Sequence, residues 1–311
     1  MSRGKRLTLL FLADLIVLGM VLCTFALFHH VLPHRIGNLY GATDKTETKD
    51  WSQSFPDKFA PQGVVRQDDG FYQDYYINLT LTTKEENGVT YHLADFYIRD
   101  ISVLQTAMAG EEFATGVADS TLNLSRENNA LLGVSGDYFG IRNRGIVIRN
   151  GEIYRKSKAH DVCVLYYDGT METYSFQSFD VERAIAGGAW QAWDFGPALL
   201  DETGSAITEF RTGISGENPR IAIGYWEPGH YCLVAVDGRQ SHSRGMTLAE
   251  LAELFESMGC KRAYNLDGGH SAVMTFQGEI FSSPSKPGGR DISDIIYLST
   301  PNWSYRTKEE P

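Results

Sequence analysis

The stretch TLAELAELFESMGCKRAYNLDGGHS, from Thr247 to Ser271, decides the fold. Thr247 and Glu250 stand in capping-box spacing, where the hydroxyl and the carboxylate each cover a backbone N–H at a helix start. Leu248, Leu251, Ala252, Leu254, Phe255 and Met258 recur at helical spacing and give one apolar face. Gly259 stands where a left-handed C-cap belongs. Cys260 to Leu266 reads as a short buried strand. Asp267 therefore leaves the C-terminal end of a strand into a Gly-Gly turn, where backbone can approach a ligand closely. Ala272 to Phe276 reads as the next strand. Strand-end loops of this kind often carry functional groups, because a rigid scaffold holds them.

Outward from this stretch, short apolar runs alternate with turns from Val64 onward. Residues 75–80, 89–98, 146–148, 162–167, 221–223 and 231–236 read as strands. Asn150-Gly151 and Asp168-Gly169 are hairpin-type turns. Two helices are predicted in this part, near 121–128 and at 247–258. Many strands with few helices define an α+β class, a single strand-rich catalytic domain over residues 63–300. The 311 residues, 42% of them hydrophobic, suffice for one large domain with its own core. The net charge of −11 argues against a nucleic-acid partner, because phosphate-backbone recognition needs a basic surface.

The N-terminus carries a different signal. Leu7 to Phe28 is a run of 22 residues whose only charge is Asp14. A bilayer core takes about 20 apolar residues as a helix. Arg3, Lys5 and Arg6 precede the run, so the positive-inside rule puts the N-terminus in the cytoplasm and the rest outside. Residues 1–30 are thus predicted to be a basic start and one uncleaved transmembrane signal anchor. Residues 31–62 are predicted to be a polar linker and residues 301–311 a polar tail. The membrane is an expected partner, and the expected location is the cell membrane, single-pass, with the C-terminal domain extracytoplasmic. Cys23 lies in the apolar run, leaving Cys163, Cys232 and Cys260 outside it. They read as buried free thiols, with one disulfide plus a leftover thiol as the other possibility.

Further segments place polar groups at the ends of apolar runs. Asp137 lies in Gly-x-x-Gly-Asp-Tyr-Phe (133–139). Arg220 closes Asn-Pro-Arg (218–220), and Asp237 and Arg239 lie in Val-Asp-Gly-Arg (236–239). Ser243 and Arg244 open Ser-x-Gly-Met-Thr-Leu-x-Glu (243–250). With Gly-Pro-Ala-Leu-Leu (196–200) and Asn-Leu-Asp-Gly-Gly (265–269), this ordered set resembles the phosphodiester glycosidase family. The resemblance covers about residues 63 to 300 and includes a closing strand over Arg290 to Leu298. The family more often has Asn at the place of Ser135 and a small residue at the place of His270.

The resemblance implies a glycosidase, a hydrolase that cuts the glycosidic bond of a sugar-1-phosphate diester of the N-acetylglucosamine-1-phosphate type. Its expected substrate is a carbohydrate phosphodiester on a surface glycan or exopolysaccharide. The residues fit that chemistry. One carboxyl group can protonate the leaving phosphate oxygen, and a second can activate water or stabilise the oxocarbenium-like transition state. Asp137, Asp237 and Asp267 are the candidates, all on predicted strand-end turns. His270 is a fourth acid/base candidate, because its unperturbed pKa lies near neutrality. Arg220, Arg239 and Arg244 can give bidentate contacts to the anionic diester. Ser243 and Ser271 can donate hydrogen bonds, and Asn265, Gly268 and Gly269 complete the predicted substrate-binding set. No cofactor is required by this chemistry. Three aspartates and an asparagine nevertheless offer oxygen ligands to Ca²⁺, so a calcium site is an open expectation. Two other readings stand beside the glycosidase: a non-catalytic glycan-binding or assembly factor, and a metal-dependent phosphodiesterase that cuts P–O.

Overall fold

The computed structural model describes residues 3–27, 34–35, 40–44, 48–111 and 113–305. Its frame is three antiparallel sheets of seven, five and five strands. Four α-helices accompany them among the described residues: α1 (Arg3–Ala26), α2 (Thr121–Glu127), α3 (Val181–Ala186) and α4 (Leu248–Ser257). The strand-rich α+β architecture expected from the turn spacing is the one observed.

The seven-stranded sheet starts at the edge strand Arg262–Leu266. It runs through Arg220–Glu227 and His230–Val236 to the long hairpin Val89–Ile98 and Ile77–Glu86, and ends on Phe71–Gln73 and Arg66–Asp68. The long hairpin closes on Asn87 and Gly88, both with positive φ (52° and 72°). That turn geometry matches the twist of the flanking strands. Alternation assigns the two faces. Ile221 and Ile223 face the main core, while Ala222 between them faces α4. Gly224 has no side chain because a Cβ there would lie 2.6 Å from the Phe255 ring of α4.

The second sheet orders Glu279–Ile280, Met274–Phe276, Leu132–Ser135, Asp294–Leu298 and Leu104–Met108. The third orders Glu152–Arg155, Val147–Arg149, Ala189–Trp193, Val162–Tyr166 and Met171–Tyr174. One core joins all three: Leu79, Phe96 and Ile223 from the first, Val134, Met274 and Ile296 from the second, Leu165 and Trp193 from the third. Removing each such side chain from water contributes about 1.5–3 kcal/mol. Cys163, Cys232 and Cys260 are free and buried, so no disulfide joins these sheets.

Helix α4 has the ends its sequence predicts. Thr247 Oγ accepts from Glu250 N–H at 3.1 Å, and Glu250 Oε2 accepts from Thr247 N–H at 2.8 Å. At the other end Gly259 has φ +74°. Its N–H reaches Glu256 O at 2.8 Å, and Cys260 N–H reaches Phe255 O at 3.1 Å, the paired bonds of a Schellman stop. Helix α3 was not legible by periodicity because it is only 6 residues long. Its cap was the available signal: the Asp180 carboxylate accepts from Arg183 N–H at 3.1 Å.

Three expectations are corrected. Among the described residues no helix is long and apolar enough to cross a membrane. What is described is helix α1, Arg3–Ala26, whose side chains from Leu10 to Phe25 are exposed. The linker predicted at 31–62 is docked at three of its described residues, Thr43, Trp51 and Ala60. Thr43 donates to Ala189 O at 2.9 Å, and Trp51 and Ala60 are buried. Residues 31–33, 36–39 and 45–47 lie outside the described residues. The tail predicted at 301–311 begins as part of the fold, because Trp303 is buried edge-on to Tyr72. Residues 306–311 lie outside the described residues.

Candidate active site

Three strand ends, one from each sheet, meet at one place. Strand Arg262–Leu266 delivers Asp267, Leu132–Ser135 delivers Asp137, and Ala189–Trp193 delivers Asp194. Hydrogen bonds tie the three ends together. Asp267 N–H donates to Gly136 O at 3.0 Å, the Ser135 hydroxyl donates to Asp267 O at 3.0 Å, and Asp194 N–H donates to Asp137 Oδ2 at 3.0 Å. The Ser135 hydroxyl thus joins two sheets directly beneath the acid.

The Gly-Gly turn after Asp267 presses against the Asn218-Pro219-Arg220 segment. A Cβ at Gly268 would stand 2.5 Å from Pro219 O, and Gly269 N–H donates to that same oxygen at 2.8 Å. Any larger residue at 268 would push the turn off the segment that carries Arg220. Together these loops enclose a pocket of about 220 Å³. That is below the ~300–1,000 Å³ of pockets that engulf a drug-sized ligand.

Asp267 lies at the pocket wall, 6% exposed. Its Oδ2 accepts from Arg290 Nη2 at 2.8 Å. Ser271 Oγ, behind the wall, accepts from Arg290 Nε and Nη2 at 3.0 and 2.7 Å. The Arg290 guanidinium also lies 4.3 Å from the centre of the Tyr138 ring. Burial pushes the Asp267 pKa up, against the opposing pull of Ser271 and Arg290.

Arg220 and Arg239 face the same pocket. Arg220 Nε donates to Met246 O at 3.0 Å, and its Nη2 donates to Ile214 O at 2.7 Å and to Gly216 O. Arg239 Nη2 donates to Asn218 Oδ1 at 2.7 Å. Neither has a carboxylate partner among the described residues. Burial, with the Arg239 charge nearby, brings the Arg220 pKa down to about 10. A buried cation held only by carbonyls is poorly compensated, and an anion in the pocket would supply the missing charge. Asn265 Nδ2 donates to Gly196 O at 2.8 Å, while its Oδ1 is buried without a partner. It leaves an acceptor at the wall. His270 stands exposed on the same rim.

Of the predicted site residues, the pocket therefore brings together Arg220, Arg239, Asn265, Asp267, Gly268, Gly269 and His270. The others face elsewhere. Asp137 is 1% exposed and sits behind the pocket. Arg149 Nη2 lies 2.8 Å from Asp137 Oδ1 and 3.0 Å from Asp294 Oδ2. The Asp137 contact is at ion-pair distance but is not aligned as a hydrogen bond. Burial pushes Asp294 up against the pull of Arg149. Burial lowers Arg149, but the two carboxylates outweigh it and the net shift is upward. Asp237 Oδ2 stands 3.2 Å from both His92 Nε2 and His242 Nε2, away from the pocket lining. Ser243 is buried, donating to Asp237 O at 2.6 Å and accepting from Thr90 N–H at 3.0 Å. Arg244 is taken by Glu217 and Glu250. Its hydrogen bond comes first among the causes that hold Glu250 down to about 2.

Arg290 and Phe195 line the pocket and were missed by sequence reasoning. Arg290 had one local signal, its place after Gly288-Gly289 at the start of the closing strand. Phe195 had none, since it reaches the pocket through the register of another sheet. The donor set does not fit the expected Ca²⁺. Asp137 and Asp267 each hold a guanidinium and Asp237 two histidines. Among the described residues no cluster of three or more His, Cys, Asp or Glu could hold a metal ion.

A pocket that sets a buried carboxyl group beside two arginines without carboxylate partners among the described residues is the candidate site on this strand-rich scaffold. Residues 128–299 match the phosphodiester glycosidase family. That is more than half of the chain, which belongs to this family of glycosidases. The SPbeta prophage-derived uncharacterized protein YomE of Bacillus subtilis (strain 168) is 28% identical over 201 residues, 61% of this chain and 31% of that protein. Human N-acetylglucosamine-1-phosphodiester α-N-acetylglucosaminidase is 40% identical over 84 residues, 27% of this chain and 15% of that protein. The chain spans less than a third of the length of these curated relatives. The solved catalytic domain of the zebrafish N-acetylglucosamine-1-phosphodiester α-N-acetylglucosaminidase superposes with a TM-score of 0.59 at 20% identity. That match covers 87% of this chain and 94% of that one, and it shows a shared fold.

Proposed function

We propose that this chain hydrolyses the glycosidic bond of a sugar-1-phosphate diester borne on a glycan. One observation carries the reading: Asp267, a buried carboxylate, shares a small pocket with Arg220 and Arg239, two cations that lack carboxylate partners. The diester phosphate sits against the two arginines and leaves onto them as the anomeric C–O bond breaks. Bidentate guanidinium contacts match a phosphate in geometry and charge. Asp267 stabilises the oxocarbenium-like sugar and takes a proton from the attacking water. Burial makes it a stronger base than an ordinary aspartate, and Arg290 holds it in place. A phosphate is a fair leaving group, so one carboxylate in the pocket suffices, and Asp137 and Asp237 serve the scaffold.

The test is product identification by mass spectrometry, using an N-acetylglucosamine-1-phospho-6-mannoside. Free N-acetylglucosamine is the expected product, and Asp267→Asn is expected to lower turnover on the order of 10³-fold. The rate should also fall as pH drops through a pKa above the ordinary ~3.9 of aspartate, because Asp267 works ionised. Release of N-acetylglucosamine-1-phosphate would instead mean P–O cleavage. Turnover that survives in Asp267→Asn would remove Asp267 from the mechanism.

The proposal extends to location, at the cell membrane with the domain outside. It is supported by Arg3, Lys5 and Arg6 before the apolar run and by the exposed apolar side chains of α1, Leu10, Phe11 and Ile16 among them. Fractionation of cells expressing the chain with and without residues 1–30 tests it. Equal recovery of both in the soluble fraction would refute it.

A further inference from the structure

Beyond Phe195 and Ile214, which form one wall of the Asp267 pocket, a second and larger hollow of about 400 Å³ opens on their other side. The two spaces lie side by side, with those residues as their common wall. The chemistry of the second hollow differs from that of the first. Arg142 donates from Nη1 to Asp194 O at 2.8 Å and lies 4.8 Å from the centre of the Phe195 ring. His160 holds Asp194 Oδ1 through Nδ1 at 3.1 Å, and its side chain is 48% exposed. Arg211 is exposed and has no ion-pair partner among the described residues. Phe176 is 38% exposed. The single carboxylate of the hollow, Asp161, is occupied by backbone, accepting from Phe176 N–H at 3.1 Å and Ala198 N–H at 3.4 Å.

The chain carries a net charge of −11, so its overall field opposes an anionic polymer. A local set of cations is what draws one in against that field. Arg142 lies over the Phe195 ring and Lys158 Nζ lies 5.2 Å from the centre of the Phe176 ring, so cations and aromatics form one surface.

We propose that this hollow is an acceptor-side subsite that binds a second phosphate group of the same glycan, with Arg211 and His160 as its contacts. This rests on the reading of the Asp267 pocket as a sugar-phosphodiester site. The preferred substrate is then a glycan with phosphates on successive units rather than a single isolated diester. The Asp194 carboxylate holds His160 by Nδ1, so Nε2 meets the phosphate as a donor when the ring carries both protons.

The experiment uses the full chain and two substrates. One is the methyl glycoside of N-acetylglucosamine-1-phospho-6-mannose, and the other is the same compound with one more phosphate on its mannose. The wild type is expected to favour the second in kcat/KM. Arg211→Ala is expected to shrink that preference by about two- to fivefold, through KM, as for an exposed ion pair. It should leave the first substrate unchanged, and about 1 M salt should erase the difference. A wild type that shows no preference, or an Arg211→Ala variant that slows both substrates equally, overturns the subsite. If neither substrate turns over, the Asp267 reading has failed, and calorimetric titration with tri(glycerol phosphate) decides the subsite alone. Binding that weakens in Arg211→Ala supports it, and no binding overturns it.

Discussion

Asp137 and Asp267 look alike in the sequence, each an acid beside glycine at the end of an apolar run. The fold gives them opposite surroundings. Asp267 reaches the pocket wall, whereas Asp137 lies behind it, against Arg149. Nothing local separates the two, because Arg149 and Asp294 reach Asp137 only through the pairing of distant strands. Glycine identity reports part of this crowding: a Cβ at Gly136 would lie 2.6 Å from the Asp294 carboxylate. Removing the cation should expose the dependence. In Arg149→Met two carboxylates stay buried without their partner, and the loss of stability should be about 3–5 kcal/mol at neutral pH. Asp294 has its folded pKa raised by burial, so its protonated form is the one the interior favours. Losing the arginine raises that pKa further. The wild-type Asp294 is pushed up to about 7, so below that pH both proteins hold its proton and the deficit changes little, while above it the wild type ionises first and the deficit grows. Urea unfolding of wild type and variant at about pH 6 and pH 8.5 measures it, and an equal deficit at both values would rule this account out.

Among the elements, those whose ends carry chemistry were the legible ones. Helix α4 was readable to within a residue because its cap, its apolar face and its stop all lie within the segment. The Asn150-Gly151 hairpin was readable for the same reason, since both residues take positive φ, 52° and 80°, and join adjacent strands of one sheet. Pairing between strands far apart in sequence was not readable. Arg220–Glu227 is flanked by His230–Val236 and Arg262–Leu266, and no local pattern names the second neighbour. That second pairing sets Asp267 beside Arg220, so the composition of the site was legible and its assembly was not. Helix α4 backs this strand pair through Leu251, Ala252 and Phe255, and its cap should bear on the site's stability more than on its chemistry. Thr247→Ala should lower stability by about 1 kcal/mol while leaving KM for the phosphodiester unchanged. A large change in KM with intact stability would mean that the loop holding Arg244 touches the ligand.

At the scale of the whole molecule, the segment that looked like a tether adds a contact between two of the sheets. Its polar stretch before Asp50 shows no apolar period, and that hid the role of Trp51, the first of three aromatics after it. Trp51 is 4% exposed, and its backbone N–H donates to Arg99 O at 2.8 Å. Its indole covers two hairpin turns, at Gly169 of the third sheet and at Gly229 of the first, and a Cβ on either glycine would collide with it. Both glycines take positive φ (83° and 91°), so each turn presents bare backbone to the ring. A chain that starts at residue 63 keeps every strand of the three sheets but loses this contact. Truncating a buried tryptophan costs about 3–5 kcal/mol. In a domain of this size that corresponds to a fall in Tm of roughly 6–20 °C. A chain starting at residue 40 should melt with the full-length protein, and Trp51→Ala in the full-length protein should reproduce most of the drop. Calorimetry of the three proteins separates the possibilities. If the chain from residue 63 melts with full-length protein, the segment is the tether its composition suggests. If it melts low while Trp51→Ala does not, the stabilising contacts lie elsewhere in the segment, with Thr43 and Ala60 next in line.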